Sequence, residues 1–130
     1  MCREGFATDA TGQLEDRRAR CLPHLLRLRM LTGMPEAPLP WLAVTEVTQA
    51  TEAILAEVEA AVRAATGGGP GSTGAPGVGV FLGVRLSRLA AAASDAVAAA
   101  WAGDFTQLRR HLRRFDTLTS AIWAVQDNSR

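Results

Sequence analysis

The sequence predicts an all-α fold: an antiparallel four-helix bundle, its first helix kinked at Pro23, that pairs into a dimer. Three observations point there. Four segments repeat their apolar residues at three- and four-residue intervals, which gathers them on one side of a helix turning about 100° per residue. Alanine, the best helix former, supplies much of the 48% hydrophobic content, whereas four Phe, three Trp and no Tyr leave strand-forming residues too sparse for a sheet. Pro-rich and Gly-rich stretches separate the periodic segments. A chain of 130 residues makes one domain able to bury about two-thirds of the surface its unfolded form exposes.

Residues 1–12 mix Gly, Thr, Asp and Ala without a period and read as a loose N-terminal arm ahead of a single domain over 13–126. The first helix is expected over 13–32. Leu14, Cys21, Leu25 and Leu28 share a face, Arg17, Arg20 and Arg27 lie to its side, and Glu15 and Asp16 complement the positive helix N-terminus. Pro23 removes one backbone hydrogen bond and crowds the preceding turn, hence the expected kink. Leu22, Leu26, Met30 and Leu31 point in several directions, and a helix apolar on more than one side is either central in its fold or part of an interface.

Gly33 stops this helix, and the prolines of Met34–Pro40 hold an extended connector. Pro35 and Pro38 form a PxxP, which a stiff interhelical connector explains fully without a ligand role. The second helix is expected over 41–65. Val44, Val47, Thr51, Ile54, Val58 and Ala61 make its stripe, and Glu46, Glu52, Glu57 and Glu59 flank it. Residues 66–79 read as a flexible Gly-rich linker; without lysine, and after a helix instead of a strand, they do not make a phosphate-binding loop.

A third helix over 80–102 presents Leu82, Leu86, Leu89, Ala93, Val97 and Ala100, with alanine nearly all round from Ala90. Gly103 ends it, and Asp104 caps a fourth helix over 104–126, with Gln107 placed for a capping box. Phe105, Leu108, Leu112, Phe115, Leu118, Ile122 and Val125 cover an arc of roughly 160° on that helix. Residues 127–130 read as a frayed end.

All 14 basic residues are arginine, which excludes a Walker-type lysine, a Schiff-base lysine and a Ser-Lys dyad. A net charge of +1 argues against general nucleic-acid binding. Cys2 and Cys21 do not make a disulfide framework, so a reduced, cytoplasmic setting is expected. The chain has no apolar run of membrane-spanning length, and the stretch around Leu22 to Met34 is broken by Arg27 and Arg29, so neither a membrane span nor a signal peptide is expected.

The most distinctive polar cluster is Arg109, Arg110, His111, Arg113 and Arg114, a candidate anion or partner site because guanidinium groups offer planar paired donors. The plainer account is a solvated helix face partly paired with the acids of residues 46 to 59. His111 falls within the apolar arc and reads as a core-edge histidine more readily than as a base or ligand. His24 beside Pro23 has no metal-ligand spacing to it, so no metal and no cofactor are expected. Cys21 lies on a core stripe and reads as a buried hydrophobe.

The leading functional expectation is a non-enzymatic interaction module acting through homodimerisation or partner binding, with Leu22, Leu26, Met30 and Leu31 and the Ala-rich third helix at its interface. A bundle that binds a small anionic ligand, or a small enzyme, with Arg109, Arg113 and His111 at its mouth and Glu46 or Glu57 opposite is the alternative. Nucleic-acid binding through the arginine cluster ranks third, since no recognisable helix-turn-helix precedes it and no aromatic residue interleaves the arginines as a stacking platform.

Overall fold

The computed structural model describes the backbone of residues 2–66 and 76–128 and the side chains of 14–64 and 80–126. These residues form four helices, α1 (Cys2–Gly33), α2 (Pro40–Thr66), α3 (Pro76–Ala102) and α4 (Phe105–Asn128), and no strand is found among them. Each helix packs on its neighbour in sequence, and α4 closes on α1, with a lighter contact between α2 and α4 across the middle.

Several boundaries differ from expectation: α2 includes Thr66, assigned to the linker, and α4 runs to Asn128, into the stretch read as a frayed end. The helical backbone of α1 starts at Cys2 and covers the stretch read as a loose arm; missing apolar periodicity shows only that a segment has no buried face, which does not prevent it from being helical. Pro76–Gly79, assigned to the linker, belong to α3. Pro76 opens that helix at the position where proline's missing N–H costs nothing. Pro40 opens α2 in the same way, with the Ala43 amide donating to the Leu39 carbonyl at 2.9 Å. The remainder of the expected linker, 67–75, lies outside the described residues.

Pro23 sits inside one continuous α1. The carbonyl it deprives of an intrahelical donor is that of Ala19, an exposed residue where water can serve it.

The turn between α3 and α4 follows the sequence closely. Gly103 takes the left-handed conformation at φ 72°. Its amide donates to the Ala100 carbonyl at 3.1 Å, and the Asp104 amide donates to the Ala99 carbonyl at 3.0 Å, a Schellman closure. The Asp104 carboxylate then accepts from the Gln107 amide at 3.1 Å and caps α4.

Large side chains fill the middle of the bundle, among them Ile54, Leu82, Leu89, Leu108, Leu112, Phe115 and Ile122, all fully buried. Ala92, Ala93, Ala96, Ala99 and Ala100 of α3 are buried as well, and their small size lets neighbouring helices come close. The buried hydroxyls of Thr51 and Thr119 donate back to the Val47 and Phe115 carbonyls, at 2.7 Å and 2.9 Å, so neither is stranded.

Candidate interaction surface

The face of α1 turned away from the core is built by a division of labour along its length. Cys21, Leu25, Leu28 and Leu31 recur at three- and four-residue steps and are buried. On the opposite side the same spacing brings up Ala19, Leu22, Pro23, Leu26 and Met30, all exposed. Leu22 and Leu26 are each 48% exposed and Met30 is 73% exposed, whereas Leu31 is only 7% exposed. Leu31, grouped by sequence with the interface candidates, therefore belongs to the core: three residues beyond Leu28, it continues the buried stripe.

The described arginines of α1 turn sideways and leave that ridge apolar. Toward α2, Arg20 makes a two-point contact with Glu57, at 2.7 Å from Nε and 3.3 Å from Nη2, and Arg17 reaches the same carboxylate at 3.2 Å. Arg27 lies 3.3 Å from Glu46, within ion-pair distance but without hydrogen-bond alignment, since the buried Glu46 oxygen has no hydrogen-bond partner among the described residues. Toward α4, Arg29 holds Asp116 with donors at 2.8 Å and 3.0 Å. Arg18 lies over the Trp123 ring at 6.0 Å. The hydrogen bond from Arg20, and then Arg17, holds the Glu57 carboxyl below its usual range against the opposing effect of burial.

Beside the ridge runs an open groove of about 460 Å³, lined by α1 residues including Leu26, Met30 and Leu31, by Met34 and Pro38 of the connector, and by Leu42 and Glu46 of α2. Leu39 and Trp41, next in sequence to the lining residues Pro38 and Leu42, are exposed as well. Sequence reasoning misses these α2 and connector residues. The run Leu39-Pro40-Trp41-Leu42 is a signal of apolar surface, but its prolines and periodicity mark it only as a connector and helix start.

The arginine cluster of α4 does not converge. Arg109 lies over the Phe105 ring at 4.3 Å and donates to the Met34 carbonyl, tying α4 to the connector. His111, two positions on and so about 200° away around the helix, is half-buried with an enclosed Nδ1 that has no partner among the described residues. Arg110, Arg113 and Arg114 are exposed and make no ion pair among the described residues. The α2 acids expected to meet this cluster meet α1 instead, Glu46 through Arg27 and Glu57 through Arg17 and Arg20.

Burial pushes the Cys21 thiol up to about 11. No group of three or more potential metal ligands occurs among the described residues. None of the helices searched is long and apolar enough to cross a membrane. Comparison with protein-family models, with curated proteins and with solved structures finds no match to this chain.

Proposed function

We propose that the chain is a non-enzymatic helical interaction module that pairs with itself or with another protein through the outer ridge of α1 and the adjoining groove. The observation that carries this is the continuous exposed run of Leu22, Leu26 and Met30, flanked by arginines that are already engaged within the fold. An apolar surface rimmed by charged residues suits a helix-in-groove contact.

Within this proposal the helices run antiparallel. Arg17 and Arg20 near the start of the described α1 side chains meet Glu57, while the later Arg27 meets the earlier Glu46, an order that supports opposed directions for α1 and α2. A bend at Pro23 would shape the ridge, and the paired state would be a dimer.

The large exposed apolar residues of α3 are divided along the helix, Val80, Phe81 and Val84 near its start and Trp101 near its end. The Phe81 ring near the start of α3 has the Arg85 guanidinium 4.6 Å over it. The alanines of α3 divide between the core and a surface of small side chains, Ala90, Ala91, Ala98 and Ala102, which offers little contact area per residue.

Methyl NMR tests the proposal, because only three methionines are present and two of them, Met30 and Met34, line the groove. Their ε-methyl signals should shift with protein concentration or on adding a partner while the buried Ile54 and Ile122 methyls stay in place. Shifts confined to the Val80 and Val84 methyls would overturn it.

A further inference from the structure

Charge along α1 says which partner fits the ridge. Glu15 and Asp16 are exposed near one end and make no ion pair among the described residues. Arg27 and Arg29 stand near the other end, and each keeps about half of its side chain exposed, 50% and 49%, despite its contact with Glu46 or Asp116. A guanidinium carries five N–H donors. Arg27 meets Glu46 through Nε, and Arg29 meets Asp116 through Nε and Nη2, so donors remain on both.

The positions are matched in angle as well as in sign. Asp16 and Arg27 are separated by about three whole helical turns, so they share one flank of the ridge; Glu15 and Arg29 are separated by about four and share the other. When two identical helices cross antiparallel about a two-fold axis, each flank faces its own copy with the direction reversed. Both pairings place that axis at the same point, beside Leu22.

We infer that the partner seated on this ridge is a second copy of the chain, its α1 antiparallel, with Asp16 facing the partner's Arg27 and Glu15 facing the partner's Arg29. This rests on the interaction role proposed above. Leu22 packs near its own counterpart, and Leu26 packs near the partner's Ala19, a large residue against a small one. A parallel pairing instead brings opposite flanks together and sets Asp16 beside the partner's Glu15, like charge against like charge.

Cross-linking in a Cys2→Ser background tests the register, since Cys21 is buried and its thiol is pushed up to about 11. The new cysteines replace exposed residues, so the fold is kept. With a short bis-maleimide, Leu22→Cys should link to itself, and Ala19→Cys should link to Leu26→Cys when the two chains are mixed, while Leu26→Cys alone links poorly. Replacing Glu15 and Asp16 together by Arg should weaken the dimer about tenfold or more at low salt without changing the helical circular dichroism. A dimer in which Leu26→Cys links to itself as well as Leu22→Cys does would overturn the antiparallel register and leave the ridge as the interface. A dimer with none of these links places the contact elsewhere and overturns both proposals. A chain monomeric at every concentration overturns the second-copy inference alone, leaving the ridge to a foreign partner.

Discussion

Arg29 of α1 grips Asp116 of α4 with two donors, at 2.8 Å and 3.0 Å, and so fastens the last described turns of α1 to the middle of α4. This clasp also holds the Arg29 guanidinium beside the apolar ridge with about half of its side chain, 49%, still exposed. Both side chains are partly solvated, so its contribution to stability is modest. Asp116→Asn should lower unfolding free energy by about 0.5–1 kcal/mol, within the range of surface ion pairs, seen as a smaller urea midpoint with an unchanged slope. No shift in midpoint would show that the contact adds nothing to stability in solution.

Glu57 makes the α1–α2 contact dependent on pH. Its carboxyl titrates below the usual range because Arg20, and then Arg17, favour the charged form. A carboxyl depressed in the folded state contributes stability that is present above the ordinary carboxylate pKa, about 4.3, and is lost as pH falls from there through the lowered folded value. Glu57→Gln should therefore cost stability at pH 7 and much less at pH 3. An equal cost at both, measured by urea unfolding, would contradict the role assigned to the charge.

The core is expected to resist changes of volume in both directions. Phe115 is fully buried, and Phe115→Ala should cost about 3–5 kcal/mol through lost transfer energy and the cavity left behind. Ala96 is equally buried among the small residues of α3, and Ala96→Leu should cost about 1–3 kcal/mol through overpacking. A tolerated Ala96→Leu, judged by its melting temperature, would mean that the helices there are not in close contact.

The α3–α4 turn offers an independent check. Asp104→Ala removes the cap on α4 and should cost about 1 kcal/mol. Gly103→Ala forces a side chain into the left-handed region and should cost about 1–2 kcal/mol, although nothing lies within 4 Å of the added methyl. If Gly103→Ala were neutral in chemical unfolding, the turn would have to close differently.

Much of the fold is legible in local sequence, because caps, prolines and buried stripes act within a few residues. Asp104, Gly103, and the stripes through Val47–Val58 and Leu108–Ile122 are of this kind. The ion pairs are not legible in this way, since they depend on which helices become neighbours. Sequence matches the α4 arginines with the acids of α2, but α2 lies mainly against α1 and α3, and the α1 arginines reach those acids first. The proposed interaction surface is half legible. Its apolar excess is visible in Leu22, Leu26 and Met30, whereas the fate of Leu31 and the contribution of Met34, Pro38 and Leu42 require the packing of α1 on α2.

The most direct measurement is the solution mass by light scattering, at low and high salt, of the native chain beside a Leu26→Asp/Met30→Asp variant. Pairing through the α1 ridge predicts a native mass of twice 13.8 kDa, a dimer several-fold weaker at high salt as the end charges are screened, and a variant that stays helical at the mass of one chain. A native chain and a variant of the same mass, both single or both double, would contradict it.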